Sequence, residues 1–169
     1  SNPTGMVYSK DEIAALADVL VRHPDVWIIC DDIYNRMVFD GIGYHNFVQA
    51  RPELRERVIH VDSISKTYGM PGWRVGFIAA PESVANAFVT MNSNHITNVP
   101  EVVNAAAVAA LSGPQDVTTS KRKEFAQRRD LVYNALVAIP GVVCPRPQGA
   151  FYAFPNISVA FGKSHNGNK

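Results

Sequence analysis

Apolar residues between Ser9 and Arg22 recur at Ile13, Leu16, Ala17 and Leu20, the spacing of one helical face. Ser9 with Glu12 three residues later opens this segment as a capping box, and Pro24 ends it. The pattern then changes. Val26-Trp27-Ile28-Ile29-Cys30 is short, apolar and without alternation, which predicts a buried parallel strand. Residues 35–50 read as loop, with Asp40-Gly41 a turn signal and Tyr44 and Phe47 as packing residues. Glu53–Arg57 reads as a short helical stretch, Val58–Val61 as a second strand and Val75–Ala80 as a third.

A helix is predicted from Pro81 to Thr90, with proline in its first turn. Residues 94–98 then read as a polar connection. Val99–Leu111 is alanine-rich and apolar on most sides, the pattern of a buried helix, and Gly113-Pro114 breaks it. A long amphipathic helix over 115–138 ends at Pro140-Gly141, and Val142–Cys144 and Ala150–Phe154 read as short strands. Helices alternating with apolar strands predict an α/β chain with a mostly parallel sheet.

The chemistry concentrates in Ser63-Ile64-Ser65-Lys66-Thr67-Tyr68-Gly69-Met70-Pro71-Gly72-Trp73-Arg74. A lysine amine can form a Schiff base with an aldehyde cofactor. Hydroxyls and a guanidinium fork are suited to a phosphate. This one segment can therefore hold both ends of pyridoxal phosphate. Asp31 falls at or just past the carboxyl end of the first strand, where open α/β sheets place ligands. A carboxylate there can face a protonated pyridine nitrogen and keep the ring an electron sink. Tyr34, three residues on, can donate to the ring's phenolic oxygen. Asp31 and Asp32 also suit a simpler role, opening a loop or capping the next element. Ser1-Asn2-Pro3-Thr4-Gly5 reads as a stiff turn that either only redirects the chain or aims the Asn2 amide at a ligand oxygen.

Together these segments resemble the fold-type I pyridoxal-phosphate aminotransferases of class I/II, and most of all the aspartate aminotransferase group. The resemblance rests on Asn2-Pro3-Thr4-Gly5, Asp31-x-x-Tyr34, Ser63-x-Ser65-Lys66, Gly72-Trp73-Arg74-Val75-Gly76 and Gln148-Gly149-Ala150-Phe151-Tyr152, in that order. It covers residues 1 to about 158. It implies Lys66 as Schiff-base lysine and proton shuttle, with Asp31 on the pyridine nitrogen. It implies Tyr34 and Asn2 on the phenolic oxygen, and Ser63, Ser65 and Arg74 on the phosphate. The implied fold is a three-layer αβα large domain (1–114), a long interdomain helix (115–140) and the start of a small α+β domain (141–169). The implied reaction is transamination between an amino acid and a 2-oxo acid, in a cytoplasmic homodimer. A carbon–sulfur lyase or cyclopropane-carboxylate synthase shares the same lysine, aspartate and tyrosine pattern. A non-catalytic fragment or regulator domain is the third alternative.

The chain has 169 residues and opens inside a motif, so it reads as a fragment. The resemblance implies a glycine-rich phosphate turn, a ring-stacking aromatic and a carboxylate-binding arginine that cannot be assigned here. Arg146 precedes the Gly-Ala-Phe-Tyr strand, out of position for that arginine, and reads as a solvated loop residue. A net charge of +1 without a basic stripe argues against a nucleic-acid partner. Lys121-Arg122-Lys123 and Arg128-Arg129 read as the wet face of a helix. No run approaches the roughly 18 apolar residues that span a bilayer. Cys30 and Cys144 make no disulfide framework, and Cys30 reads as core. The five histidines (His23, His45, His60, His95, His165) show no ligand spacing, so the sequence offers no metal site.

Overall fold

The computed structural model describes residues 1–164; His165 and the rest of the polar run beyond Ser164 lie outside the described residues. The first helix, α1 (Lys10–Val21), begins on the expected capping box: Ser9 Oγ accepts from the Glu12 amide, and the Glu12 carboxylate accepts from the Ser9 amide at 2.8 Å. The next elements are β1 (Ile28–Asp31), α2 (Phe47–Ala50), a 3₁₀ turn over Pro52–Arg57, β2 (Val58–Ser63) and α3 (Ile64–Thr67). A second 3₁₀ turn, Pro71–Trp73, precedes β3 (Gly76–Ala79), α4 (Glu82–His95), α5 (Glu101–Ser112) and α6 (Asp116–Val137).

The sheet has the order β1-β2-β3. The β1–β2 pair is parallel, with Ile28 opposite Val58 and Asp31 opposite Val61. β3 runs antiparallel to β2, with Ser63 opposite Gly76. A parallel return needs a crossover of a dozen or more residues that carries the chain back to the sheet's other end. The connection from α3 to Val75 instead reverses at the same end, through the Pro71–Trp73 turn and the left-handed Arg74 (φ 53°). Lys66 and Arg74 are thus both held inside one chain reversal.

The principal core lies between α1 and one sheet face. Ala17, Ile28, Cys30, Leu54 and Val58 pack there, with Leu20, Phe47, Val48 and Ala50 around them. Strand alternation explains the choice: Ile28 and Cys30 point into this core, whereas Ile29 points away and is 71% exposed. The expectation of a buried helix over 99–111 meets a different outcome. Only Ala107 of α5 is buried, and Val102 is 68% exposed, because among the described residues no second layer covers that face. Likewise residues 94 and 95 belong to the end of α4 rather than to a loop. The segments around Val143 and Gly149 pair only as single bridges, Val143 with Asn156 and Gly149 with Val38.

A buried arginine helps fasten α6 to the remainder. Arg129, read from sequence as part of a wet face, is instead buried. Its two terminal nitrogens donate to the Asp40 carboxylate at 2.7 and 2.9 Å, and one also donates to the Pro147 carbonyl at 3.0 Å. Its guanidinium lies 5.0 Å from the Phe39 ring centroid. Arg129 Nε is 2.8 Å from Asp130 Oδ1, but its N–H does not point at that oxygen, so the contact is charge proximity rather than a hydrogen bond.

Two outcomes are expected for stability. Leu54, fully buried, has no room to collapse, so Leu54→Ala should destabilise the full-length protein by about 2–5 kcal/mol in urea unfolding. The Arg129 hydrogen bonds hold the Asp40 carboxyl below its usual range. The Asp40 contribution is therefore complete above the unfolded carboxyl pKa of about 3.9 and is lost as pH falls through the lower folded value. In an acid series of unfolding midpoints, Asp40→Asn should lower stability at neutral pH and flatten the fall at the acid end.

Candidate functional site

The reversal from Ser63 to Gly76 builds the core of the site. Ser63 ends β2 and caps α3, its Oγ accepting from the Ser65 amide at 2.9 Å. That cap leaves the Ser63 hydroxyl hydrogen free to donate. α3 then presents Ser65 and Lys66, while Ile64 and Thr67 are buried beneath. Arg74 is exposed and donates to the Pro71 carbonyl at 2.9 Å. Ser63, Ser65, Lys66 and Arg74, with Ile33, Val75 and Gly76, line a single cavity of about 370 Å³. Four of the residues singled out from sequence therefore converge on one space.

The other three are placed differently. Asp31 is the last residue of β1 and is exposed; its Oδ1 accepts from the Ile33 amide at 3.4 Å. It lines a neighbouring cavity with Ser1, Tyr8, Asp32 and Tyr44. Asn2 is exposed within its turn. The turn itself is docked: the Gly5 carbonyl accepts from the amides of Gln148 (2.7 Å) and Gly149 (2.9 Å). Gly5 has φ +73°, and a Cβ there would lie 2.6 Å from the Tyr152 carbonyl, so this close approach requires glycine.

Tyr34 is buried, and its hydroxyl is already partnered by the Tyr152 hydroxyl at 2.5 Å. Burial first, and then the Tyr152 contact and the Asp31 charge, push the Tyr34 phenol above its ordinary range. Its ring meets Phe151 and Tyr152 edge to face, at 5.4 and 5.6 Å between centroids. Phe151 also lies under the Lys66 ammonium, 5.4 Å from Nζ to the ring centroid. The Phe151–Tyr152 pair thus joins Lys66 to Tyr34. Its contribution is absent from any local spacing, since 85 residues separate Lys66 from Phe151.

Behind β1 and β2 lies a second polar group. Asp32 accepts from the Tyr44 hydroxyl and is hydrogen-bonded to His60 Nδ1 at 2.6 Å. Burial, reinforced by the Asp32 charge, pushes the Cys30 thiol up to about 12. Burial also raises Tyr44, with the Asp32 hydrogen bond adding to it. Asp62 is raised chiefly by burial, although the Ser63 amide and Asn35 side chain donate to it. Arg146 is exposed and pairs with Asp130 at 2.8 Å, away from the cavity of Lys66.

Comparison with known proteins gives the family of the chain. The family "Aminotransferase class I and II" matches residues 1–165. The aspartate/prephenate aminotransferase of Cereibacter sphaeroides is 44% identical over 167 residues, covering 99% of this chain and 42% of that protein. The aspartate aminotransferase of Rhizobium meliloti strain 1021 is 40% identical over 163 residues, covering 96% of this chain and 40% of the relative. Among solved structures, an aspartate aminotransferase from Rhizobium meliloti superposes with a TM-score of 0.95 at 39% identity, over all of this chain and 42% of its own. The aromatic aminotransferase of Pyrococcus horikoshii gives 0.87 at 34% identity, over 93% of this chain and 42% of that one. The chain spans about two-fifths of the length of these relatives. Likeness at this level over nearly every residue places the chain in the class I and II aminotransferases.

Proposed function

We propose that the protein carrying this chain is a pyridoxal-phosphate-dependent aminotransferase that moves an amino group between an amino acid and a 2-oxo acid. The observation that carries the reading is the convergence of Ser63, Ser65, Lys66 and Arg74 on one cavity. Two hydroxyls, a guanidinium and a primary amine are the donor set that a phosphate ester with a nearby aldehyde requires. The names of the relatives make aspartate the first amino donor to assay.

Bound pyridoxal phosphate supplies an electrophilic carbonyl and an electron-withdrawing ring. The residues of this chain do the rest. Ser63 and Ser65 with their hydroxyls, and Arg74 with its planar fork, would hold the phosphate. Lys66 Nζ would be the base that takes the proton from the substrate Cα and carries it during the transfer. The Phe151 ring lies 5.4 Å from Nζ and sets one flank of that amine. Asp31 offers a carboxylate to hold the proton on the ring nitrogen. Tyr34 donates toward the ring oxygen once its hydroxyl turns from Tyr152, which lies in the same aromatic group.

Borohydride reduction of the loaded full-length enzyme followed by peptide mapping should place the phosphopyridoxyl mass on Lys66. Lys66→Ala should lose both that adduct and turnover, and an adduct on another lysine would overturn the assignment. For the strand end, Asp31→Asn should lower kcat on the order of 100-fold with cofactor still bound. Asp32→Asn should instead act on stability, because Asp32 carries the buried contacts to His60 and Tyr44. Near-normal turnover in Asp31→Asn beside a well-folded but inactive Asp32→Asn would exchange the two roles.

A further inference from the structure

The sheet face that packs on α1 ends in three side chains that the transfer of an amino group leaves unused. Cys30 and His60 are Cα partners across the parallel pair, and Asp32 lies two residues beyond Cys30 on the same side. A sulfur, a carboxylate oxygen and an imidazole nitrogen of these residues all lie within 4.8 Å of one another. Cys30 is 7% exposed, and the His60 and Asp32 side chains are 23% and 13% exposed. Strand alternation turns Cys30 and His60 to the face opposite Asp31 and Ser63, and none of the three lines the cavity of Ser63, Lys66 and Arg74.

We propose that Cys30, Asp32 and His60 form a binding site for a divalent cation of borderline softness, with Zn²⁺ the best match. Thiolate, imidazole and carboxylate are the donors that zinc accepts, at ~2.0–2.3 Å from the ion. Side-chain shifts on the order of 1 Å bring three atoms within 4.8 Å of one another onto such an ion. Magnesium and calcium prefer an all-oxygen set and match poorly.

Two further features suit a metal. The Tyr44 hydroxyl donates to Asp32 Oδ1, leaving Oδ2 beside His60. An outer hydrogen bond of this kind orients a ligating carboxylate. Cys30, Asp32 and Tyr44 also line, together with Asp31, one cavity of about 220 Å³, which gives the ion a path in and a water the fourth position. In the metal-free chain the His60–Asp32 hydrogen bond closes the group. Binding releases the Cys30 thiol proton to solvent, since the thiolate is the ligand.

The test uses the full-length protein, stripped with chelator and dialysed against ZnCl₂ or CoCl₂. We expect one Zn²⁺ per chain, with affinity falling at least about tenfold in Cys30→Ser and in His60→Leu. Co²⁺ should give a thiolate-to-cobalt charge-transfer band in the wild type that Cys30→Ser lacks. A third measurement needs no variant: Zn²⁺ should slow alkylation of Cys30 but not of Cys144, an equally buried thiol that serves as control. Absence of stoichiometric Zn²⁺ overturns the proposal, as do unchanged binding in Cys30→Ser and equal protection of both thiols.

Discussion

The parallel pairing of β1 with β2 is the constraint on which the rest of the chain depends. It sets Asp31 opposite Val61 and continues one step beyond β1, where the Asp32 amide donates to the Val61 carbonyl at 2.9 Å. Residues separated by about thirty positions thereby share one strand end. A slip by one residue would exchange the faces of Cys30 and Asp31. The buried pattern prevents this: Ile28 and Cys30 belong to the core formed by Ala17, Leu54 and Val58, and a carboxylate in their place would lose its hydration.

A second constraint gathers distant parts of the chain around the reversal that holds Lys66. The turn at Asn2–Gly5, the segment Met37–Asp40 and Arg129 of α6 all meet the stretch Pro147–Tyr152, whose Phe151 reaches Lys66. Small residues make the approach possible. A Cβ on Gly149 would lie 2.9 Å from the Met37 carbonyl and 2.8 Å from Val7 Cγ2. Arg129 completes the join from α6, exchanging hydration for two bonds to Asp40 and one to Pro147. A buried guanidinium is tolerable because these acceptors replace water. The result brings Phe151 beneath Lys66 and Tyr152 onto Tyr34.

The polar chemistry is divided between the two faces of one sheet. Ser63 ends β2 at the cavity lined by Lys66 and Arg74, while Asp31 ends β1 at the neighbouring cavity. The opposite face carries Cys30, Asp32 and His60, closed by Tyr44. Alternation along two adjacent strands is enough to separate these groups, since neighbouring side chains point to opposite sides.

Much of this was legible in the sequence, for a local reason. Capping at Ser9 and the apolar run entering β1 act within a few residues, so their spacing alone predicts helix and strand, and the Ser-x-Ser-Lys segment with Arg74 marks out the residues that line one cavity. The order of motifs also carried the family. What local spacing could not contain is contact between distant residues. Arg129 looks like a solvated helix residue until Asp40 and Pro147 are brought to it. Tyr34 looks like a free donor until Tyr152, 118 positions away, takes its hydroxyl. Cys30, Asp32 and His60 show no ligand spacing because their proximity arises from strand pairing. The exposed faces of α5 and β1 follow from the same limit: an apolar pattern records that a face needs covering, while only the tertiary arrangement decides what covers it.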